Sequence, residues 1–278
     1  MQPITTEIVS RTIIKRPADS HKGNYGRIML IGGNQNFGGA IIMAATAATY
    51  SGAGLVTVAT DPSNFTSLHA RLPEAMVIDY HQTDTLLNLL AGMDVIVIGP
   101  GLGTDTVADQ LLTAVLAATH VPQRLVIDGS ALTLLAQQAR PLPATDIVVK
   151  PHQMEWQRLS GIAIKDQTPT ANHDAQQRLG VTAVVKAHRT TVYTDERVWF
   201  NPGGTPAMAT GGMGDTLAGM IGGFVSQFHN FTDAVLSAVY LHSAIADDLA
   251  ATRYVVLPHQ ISTRIPTYMH RFSQIERP

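Results

Sequence analysis

The chain has 278 residues, of which 45% are hydrophobic and only 14% charged, and its formal net charge is −2. This composition lacks the basic excess of nucleic-acid-binding proteins and is unlike that of disordered or fibrous chains. The absence of cysteine excludes disulfides, thiolate catalysis and sulfur-ligated metal sites. The low charged fraction, against about 25% in typical proteins, predicts a surface partly covered by another subunit.

The N-terminal segment 1–20 carries charged residues where a signal peptide would need an apolar core. The uncharged stretch 28–60 is broken by glycine and asparagine, which does not fit a lipid-facing helix. We therefore expect a soluble, cytoplasmic protein without a membrane or nucleic-acid partner.

Short apolar runs alternate with helical stretches along the first two thirds of the chain. Several runs are continuously apolar, as expected for strands covered on both faces. The runs are RIMLIG (27–32), LVTVAT (55–60), AMVIDY (75–80), DVIVIG (94–99), RLVIDG (124–129), DIVVK (146–150) and TAVVK (182–186). Helical stretches such as 40–51 and 106–120 lie between them. This alternation predicts a three-layer α/β/α fold around a mainly parallel sheet.

The pattern changes after residue 186. Segments 191–195 and 197–201 indicate an antiparallel hairpin at a sheet edge, and the remaining third is helical, including 215–228 and 231–250. No linker or tandem repeat is evident, so we predict a single domain spanning residues 1–278. Ligands in such sheets lie at the carboxyl ends of the strands, which directs attention to the turns that follow them.

Two glycine-rich turns follow predicted strands and open helices. They are GGNQNFGGA (32–40) and GPGLGTDT (99–106). Neither matches GxGxxG or GxxxxGK[ST], which disfavours a dinucleotide-binding Rossmann site and a Walker P-loop. Each is compatible with a tight connection or with close backbone approach to a bulky ligand.

Isolated polar residues occupy other strand ends. Asp128 could assist catalysis, although capping the next helix is the favoured interpretation. A lone histidine such as His152, which precedes Glu155, is more often structural than functional. The segment Lys186 to Thr190 suits nucleotide phosphates or ribose, but equally a solvated hairpin turn. The sequence contains no HExxH motif and no compact cluster of ligand residues, so it does not predict a metal site built by the protein alone. Binding of Mg²⁺ together with a nucleotide remains an open alternative.

The strongest signal is NPGGTPAMATGGMGDTLAGMIGGFVSQF (201–228). Asp215 is the one formally charged residue between Arg197 and Asp233, and it follows Gly211, Gly212 and Gly214. Bare backbone amides at a helix start form an anion site. A carboxylate there could simply cap the helix, but it would also repel the anion. We favour a role in removing a proton from a hydroxyl that attacks phosphorus.

Taken in series, these motifs resemble one family. HKGNYGRIMLIGGNQNFGGA, RLPEAMV, DVIVIGPGLG, VIDGSAL, VKPHQMEW and the 201–228 segment occur in the order seen in ADP-dependent NAD(P)H-hydrate dehydratases of the ribokinase-like superfamily. The resemblance extends from about His21 to Pro266. It implies a repair enzyme that phosphorylates the ring hydroxyl of hydrated NADH or NADPH with ADP. Elimination of phosphate then restores NAD(P)H and leaves AMP.

The resemblance also implies roles for individual residues. Asp215 would be the base, and the amides of Gly212 and Gly214 would hold the transferring phosphoryl group. Ala40, Gly103 and His152 match substrate-contacting positions. Gly214 and the segment Lys186, Ala187, His188, Arg189 and Thr190 match nucleotide-binding positions. The family further implies Mg²⁺ accompanying ADP or ATP, and a homotetramer.

Two other interpretations stay open from the sequence. One is a ribokinase-like kinase of a small molecule, such as a vitamin precursor, that stops after phosphoryl transfer. The other is a non-catalytic nucleotide-binding protein of the same fold. The carboxylate of Asp215 argues against the second, because binding alone does not require it.

Overall fold

The computed structural model describes residues 1–138 and 140–275. The strands of this part of the chain are β1 (Gln2–Pro3), β2 (Arg27–Ile31), β3 (Leu55–Thr60), β4 (Met76–Asp79), β5 (Val95–Ile98), β6 (Arg124–Ile127), β7 (Asp146–Val149), β8 (Thr182–Val185), β9 (Thr191–Tyr193) and β10 (Val198–Phe200). The helices are α1 (Thr6–Thr12), α2 (Gly38–Tyr50), α3 (Phe65–Arg71), α4 (Thr83–Leu90), α5 (Thr106–Ala118), α6 (Ser130–Gln137), α7 (Gln153–Ser160), α8 (Pro169–Leu179), α9 (Met213–Val225), α10 (Phe231–Ala250) and α11 (Pro258–Ser273).

The strands form one sheet in the order β1-β10-β9-β8-β7-β6-β5-β2-β3-β4. Every pairing is parallel except the two made by β9, which runs antiparallel to β8 and to β10. The predicted mainly parallel sheet and its antiparallel hairpin are thus confirmed. β1 was not predicted; it pairs in parallel with β10 at the sheet edge.

Alternate strand residues face two separate hydrophobic cores. Ile28 and Leu30 of β2 pack with residues of α1, α2, α9, α10 and α11 on one face. Met29 and Ile31 pack with residues of α4 to α8 on the other. Helices cover both faces of the sheet, and this explains why the strand sequences are continuously apolar, as predicted. This arrangement is the predicted three-layer α/β/α fold.

Helices α2 and α9 pack together unusually closely on the first face. A Cβ atom added to Gly219 of α9 would lie 1.9 Å from the backbone oxygen of Ala44 in α2, and one added to Gly223 would lie 2.9 Å from that of Ala48. Glycine at these positions lets the two backbones approach. The packing brings the start of α9 beside α2 at the carboxyl edge of the sheet.

No helix among residues 1–138 and 140–275 is long and apolar enough to span a membrane. Nothing in the fold tests the prediction of a single domain, although the sheet is continuous.

Candidate active site

Three charged residues follow three adjacent strands at the carboxyl edge of the sheet. Asp128 comes directly after β6, Lys150 after β7 and Lys186 after β8. Because these strands are neighbours and parallel, their carboxyl ends lie side by side. The sequence therefore places one carboxylate and two ammonium groups at a single edge.

The N-terminus of α9 lies at this same edge. Gly212, the residue before the helix, has a left-handed backbone with φ of 91°, and an added Cβ would lie 2.2 Å from the sulfur of Met43 in α2. The first amide that closes a helical turn is that of Thr216, which donates to the carbonyl of Gly212 at 2.9 Å. The preceding amides have no intrahelical acceptor, so together with the helix dipole they favour an anion here.

Asp215 lies in the first turn of α9 and is partly exposed to solvent. The residue preceding the helix makes no side-chain capping hydrogen bond, and the carboxylate of Asp215 accepts only a local bond from its own amide. Burial raises the pKa of this carboxyl group, and Asp128 raises it further, whereas Lys150 and Lys186 act in the opposite direction. A carboxylate with a raised pKa is a better proton acceptor near neutral pH.

Lys150 was not singled out from the sequence, yet it is the most buried charge of the site. Its side chain is 0% exposed, and its Nζ lies 2.9 Å from Oδ1 of Asp128, which is also buried. Burial is the main reason that the pKa of Lys150 falls to about 8. The favoured capping role of Asp128 is wrong, because α6 begins after Gly129 without a side-chain cap. Only the position of a lysine directly after an apolar strand could have signalled this pair.

The glycine at position 214 allows both ammonium groups to reach α9. A Cβ added to Gly214 would lie 3.2 Å from Nζ of Lys186 and 3.4 Å from Nζ of Lys150. The two cations thus converge on the turn that carries Asp215. Two ammonium groups and a helix N-terminus together attract a phosphate group.

His152 has a clear structural task as the residue preceding α7. Its Nδ1 accepts hydrogen bonds from the amides of Met154 and Glu155, and the Glu155 carboxylate accepts from the amide of His152 at 2.8 Å. The backbone of His152 also bridges to Lys186. Half of the His152 side chain remains exposed. The capping role therefore leaves its ring accessible beside the segment that begins at Lys186.

The two glycine-rich turns are joined to each other. The amide of Gly33 donates to the carbonyl of Pro100 at 2.9 Å, and that of Asn34 donates to Gly101 at 2.7 Å. A Cβ atom added to Gly101 would lie 3.0 Å from Cβ of Ala40. One added to Gly103 would lie 2.6 Å from the side-chain nitrogen Nδ2 of Asn34. Ala40 and Gly103 therefore lie on one paired-loop surface. Met43, one turn after Ala40, links that surface to Gly212.

The predicted nucleotide segment forms the connection between β8 and β9. Lys186 is partly buried and reaches α9, whereas Ala187, His188 and Arg189 are exposed and Thr190 is partly exposed. The structure thus groups Lys186 with Gly212, Gly214 and Asp215 and leaves the three residues after Lys186 facing solvent.

The donor set of the site does not fit a metal held by the protein alone. Residues 1–138 and 140–275 contain no group of three or more His, Cys, Asp or Glu side chains placed to hold an ion. Any Mg²⁺ at this site therefore depends on phosphate oxygens of a nucleotide for ligands.

Two cavities, of about 760 and 990 Å³, open at the opposite edge of the sheet. Their linings include the starts of β7 and β8 in one case, and the end of α2 and the residues that follow α9 in the other. Neither lining includes Asp215, so these cavities do not mark the candidate active site.

Comparison with known proteins agrees with this geometry. The family model described as NAD(P)H-hydrate dehydratase matches residues 28–267. This chain belongs to the NAD(P)H-hydrate dehydratase family. It is 99% identical, over the full length of both chains, to a Lactiplantibacillus plantarum protein named ADP-dependent (S)-NAD(P)H-hydrate dehydratase.

Solved structures place the family within the ribokinase-like fold. A ribokinase-like superfamily protein from Enterococcus faecalis is 51% identical, with a TM-score of 0.97 over 99% of this chain and 97% of that one. The ADP/ATP-dependent NAD(P)H-hydrate dehydratase of Bacillus subtilis, co-crystallized with ATP/Mg²⁺, is 30% identical, with a TM-score of 0.86 over 98% of each chain. The family resemblance drawn from the sequence motifs is confirmed.

Proposed function

We propose that this chain dehydrates the S form of hydrated NADH and NADPH, with ADP as the phosphoryl donor, and so restores the reduced cofactors. The observation that carries this proposal is the position of Asp215, a half-buried carboxylate in the first turn of α9, on which two ammonium groups converge. Such an arrangement suits deprotonation of an alcohol next to a bound phosphoryl group.

The reaction begins with transfer of the terminal phosphoryl group of ADP. Asp215 accepts the proton of the ring hydroxyl while the hydroxyl oxygen attacks phosphorus, and AMP leaves with the electrons of the broken bond. The amides of Gly212 and Gly214 hold the transferring group, with charge compensated by Lys186. The bond between the ring carbon and the ester oxygen then breaks, and phosphate, a far better leaving group than hydroxide, departs with its electron pair. The neighbouring ring carbon gives up a proton to solvent or phosphate, and the electrons of that C–H bond restore the ring double bond.

The two ligands occupy neighbouring parts of the edge. The nucleotide lies against Lys186 to Thr190 and Gly214. A Mg²⁺ ion that accompanies it would take phosphate oxygens as ligands and neutralise part of their charge. The hydrated nicotinamide lies against the paired-loop surface that contains Ala40 and Gly103, with His152 at the border between the two. This division puts the ring hydroxyl and the nucleotide on opposite sides of Asp215.

We further propose a homotetramer in the cytoplasm, in keeping with the low charged fraction of the chain. Light scattering at micromolar concentration should give about four times the subunit mass of 29.8 kDa. A monomer under these conditions would contradict this assembly.

The assay that tests the function follows the near-ultraviolet absorbance of reduced nicotinamide. Hydrated NADH is mixed with the protein and Mg²⁺, with ADP in one series and ATP in the other, and AMP and phosphate are measured in parallel. We expect absorbance to rise with ADP, with one AMP and one phosphate released per NADH. No rise with either nucleotide would refute the proposed function.

The same assay separates the other interpretations of the sequence. A kinase that stops after transfer would release AMP or ADP from its donor but leave a stable phosphorylated substrate and no NADH. A protein that only binds nucleotides would release neither AMP nor phosphate.

A further inference from the structure

The buried pair of Lys150 and Asp128 has no assigned role in the reaction described above. The pair forms because β6 and β7 are adjacent and in register, with Ile127 opposite Val149, so that the next residue of each strand meets its neighbour. The Nζ of Lys150 and the Oδ1 of Asp128 make no hydrogen bond to any other described residue. The cation is therefore held by a single buried carboxylate.

Stability is a weak explanation for this pair. Two buried charges lose their hydration, and the attraction between them often fails to repay that cost, so well-packed apolar residues are frequently as stabilising. The cost falls on Lys150 in particular, because burial lowers its pKa to about 8. A group that is costly to bury next to a candidate active site is a candidate for function.

Three charged groups act on Asp215, and they come from the segments after three strands: Asp128 follows β6, Lys150 follows β7 and Lys186 follows β8. From α10, the buried side chain of His242 makes a hydrogen bond to the carbonyl of Met213 in the same turn. His242 is uncharged near neutral pH, since burial lowers its pKa to about 3. Lys186 is partly exposed and belongs to the nucleotide segment, so its surroundings change when nucleotide binds. Lys150 is the fully buried cation of the group, out of reach of solvent ions.

We propose that Lys150, held in place by Asp128, is a positioning residue that keeps Asp215 in the carboxylate form required to accept the substrate proton. The inference rests on the proposed function, in which Asp215 is the base. Its geometric basis is the Lys150 ammonium beside Gly214, one residue before Asp215. In support, burial and Asp128 raise the pKa of Asp215, and Lys150 opposes that rise. Without Lys150, Asp215 would be protonated over more of the acidic range.

Two substitutions that should shift the pKa of Asp215 in opposite directions test this role. In Lys150→Met the cation is lost at similar volume, and we expect the acidic limb of the pH profile of kcat/KM to move up by about one pH unit. In Asp128→Asn the neighbouring anion is lost and Lys150 remains, so the limb should move to lower pH. The double variant Lys150→Met/Asp128→Asn loses both charges, and its limb should lie between those of the single variants.

The controls separate electrostatics from damage to the fold. Lys165→Met removes an exposed lysine from the surface and should leave the limb in place. Circular dichroism and thermal melting check each variant, and the double variant, which leaves no unpaired buried charge, serves if a single one does not fold. An unmoved limb in Lys150→Met, or shifts of the same sign in both single variants, would overturn the role.

An infrared titration gives a readout that does not depend on turnover. The protonated carboxyl group of Asp215 contributes a C=O band that the Asp215→Asn variant lacks, and the midpoint of this band should rise in Lys150→Met and fall in Asp128→Asn. If these shifts occur but no NADH is formed by the unsubstituted protein, the proposed function fails and the electrostatic role stands. If NADH forms and the midpoint does not move, Lys150 is not the positioning residue.

Discussion

At the scale of single residues, the charges around α9 change their balance during the proposed reaction. In the resting site, the ammonium groups of Lys150 and Lys186 face two carboxylates, those of Asp128 and Asp215. When Asp215 takes the substrate proton, one negative charge disappears. The two cations and the helix N-terminus then face the transferred phosphoryl group with only Asp128 against them. Proton transfer therefore strengthens anion binding at the moment the anion arrives.

Replacement of the proposed base tests the central residue of this scheme. Asp215→Asn keeps the size of the side chain but cannot accept a proton, so we expect turnover to fall by about 10²–10⁴-fold. Because burial disfavours the charged form of Asp215 and its carboxylate accepts only from its own amide, the melting temperature should stay close to that of the unsubstituted protein. The measurement is NADH formation with ADP beside a thermal melt.

Asp166→Asn is the matched control, since Asp166 is exposed on a short 3₁₀ helix. Its turnover should be unchanged. Near-normal turnover in Asp215→Asn would show that the site uses another base.

At the scale of secondary-structure elements, the strands were predictable because both of their faces are buried. The run LVTVAT coincides with β3, and the other six runs each contain a strand that ends one or two residues earlier. Helix α10 also coincides with its predicted span, Phe231 to Ala250. Continuous burial leaves a strong local pattern in the sequence, and such elements can be found without knowing their neighbours.

Other features depend on contacts between distant segments. Nothing in the sequence of β1 predicts that two residues pair with β10 almost two hundred positions away. The role of Lys150 could not be predicted for the same reason, because its burial follows from the adjacency of β6 and β7. Helix α9 starts at Met213, two residues before the predicted start at 215, because Gly212 takes a left-handed conformation that ends the preceding turn. Asp128 was misinterpreted for a related reason, since its partner lies on another strand.

The glycines of α9 give a prediction at this scale. A Cβ atom in Gly219→Ala would meet the backbone oxygen of Ala44 at 1.9 Å, and backbone cannot move aside as a flexible side chain can. We expect the free energy of unfolding to fall by about 1–3 kcal/mol through overpacking. Urea denaturation measures the change.

Gly39→Ala is the matched control, because it also lies in a helix and an added Cβ has nothing within 4 Å. Higher helix propensity should make it neutral, or more stable by up to about 1 kcal/mol. Equal stability of the two variants would mean that α2 and α9 do not pack as closely as described.

At the scale of the whole molecule, the fold separates its two chemical tasks along one edge. The paired loops after β2 and β5 supply the surface proposed for the hydrated cofactor, and the segment after β8 supplies the surface proposed for the nucleotide, with His152 after β7 at the border. Helix α9 begins between them and packs against β2, β5 and β6. The single continuous sheet joins these parts, so the prediction of one domain implies one cooperative unfolding transition.

The buried side chain of His242 makes the stability of the folded protein depend on pH. Burial lowers the pKa of His242 to about 3, from an ordinary value of 6.5, and its Nε2 has no partner among the described residues. Between these two values the unfolded chain binds a proton that the folded protein does not. The free energy of unfolding therefore falls as pH drops below about 6.5, and at pH 5 the loss from this one group is about 2 kcal/mol relative to pH 7.5.

Urea denaturation of the unsubstituted protein and of His242→Gln at both pH values measures this contribution, and the variant should lose about 2 kcal/mol less on acidification. An identical loss in both proteins would show that His242 is not the group responsible.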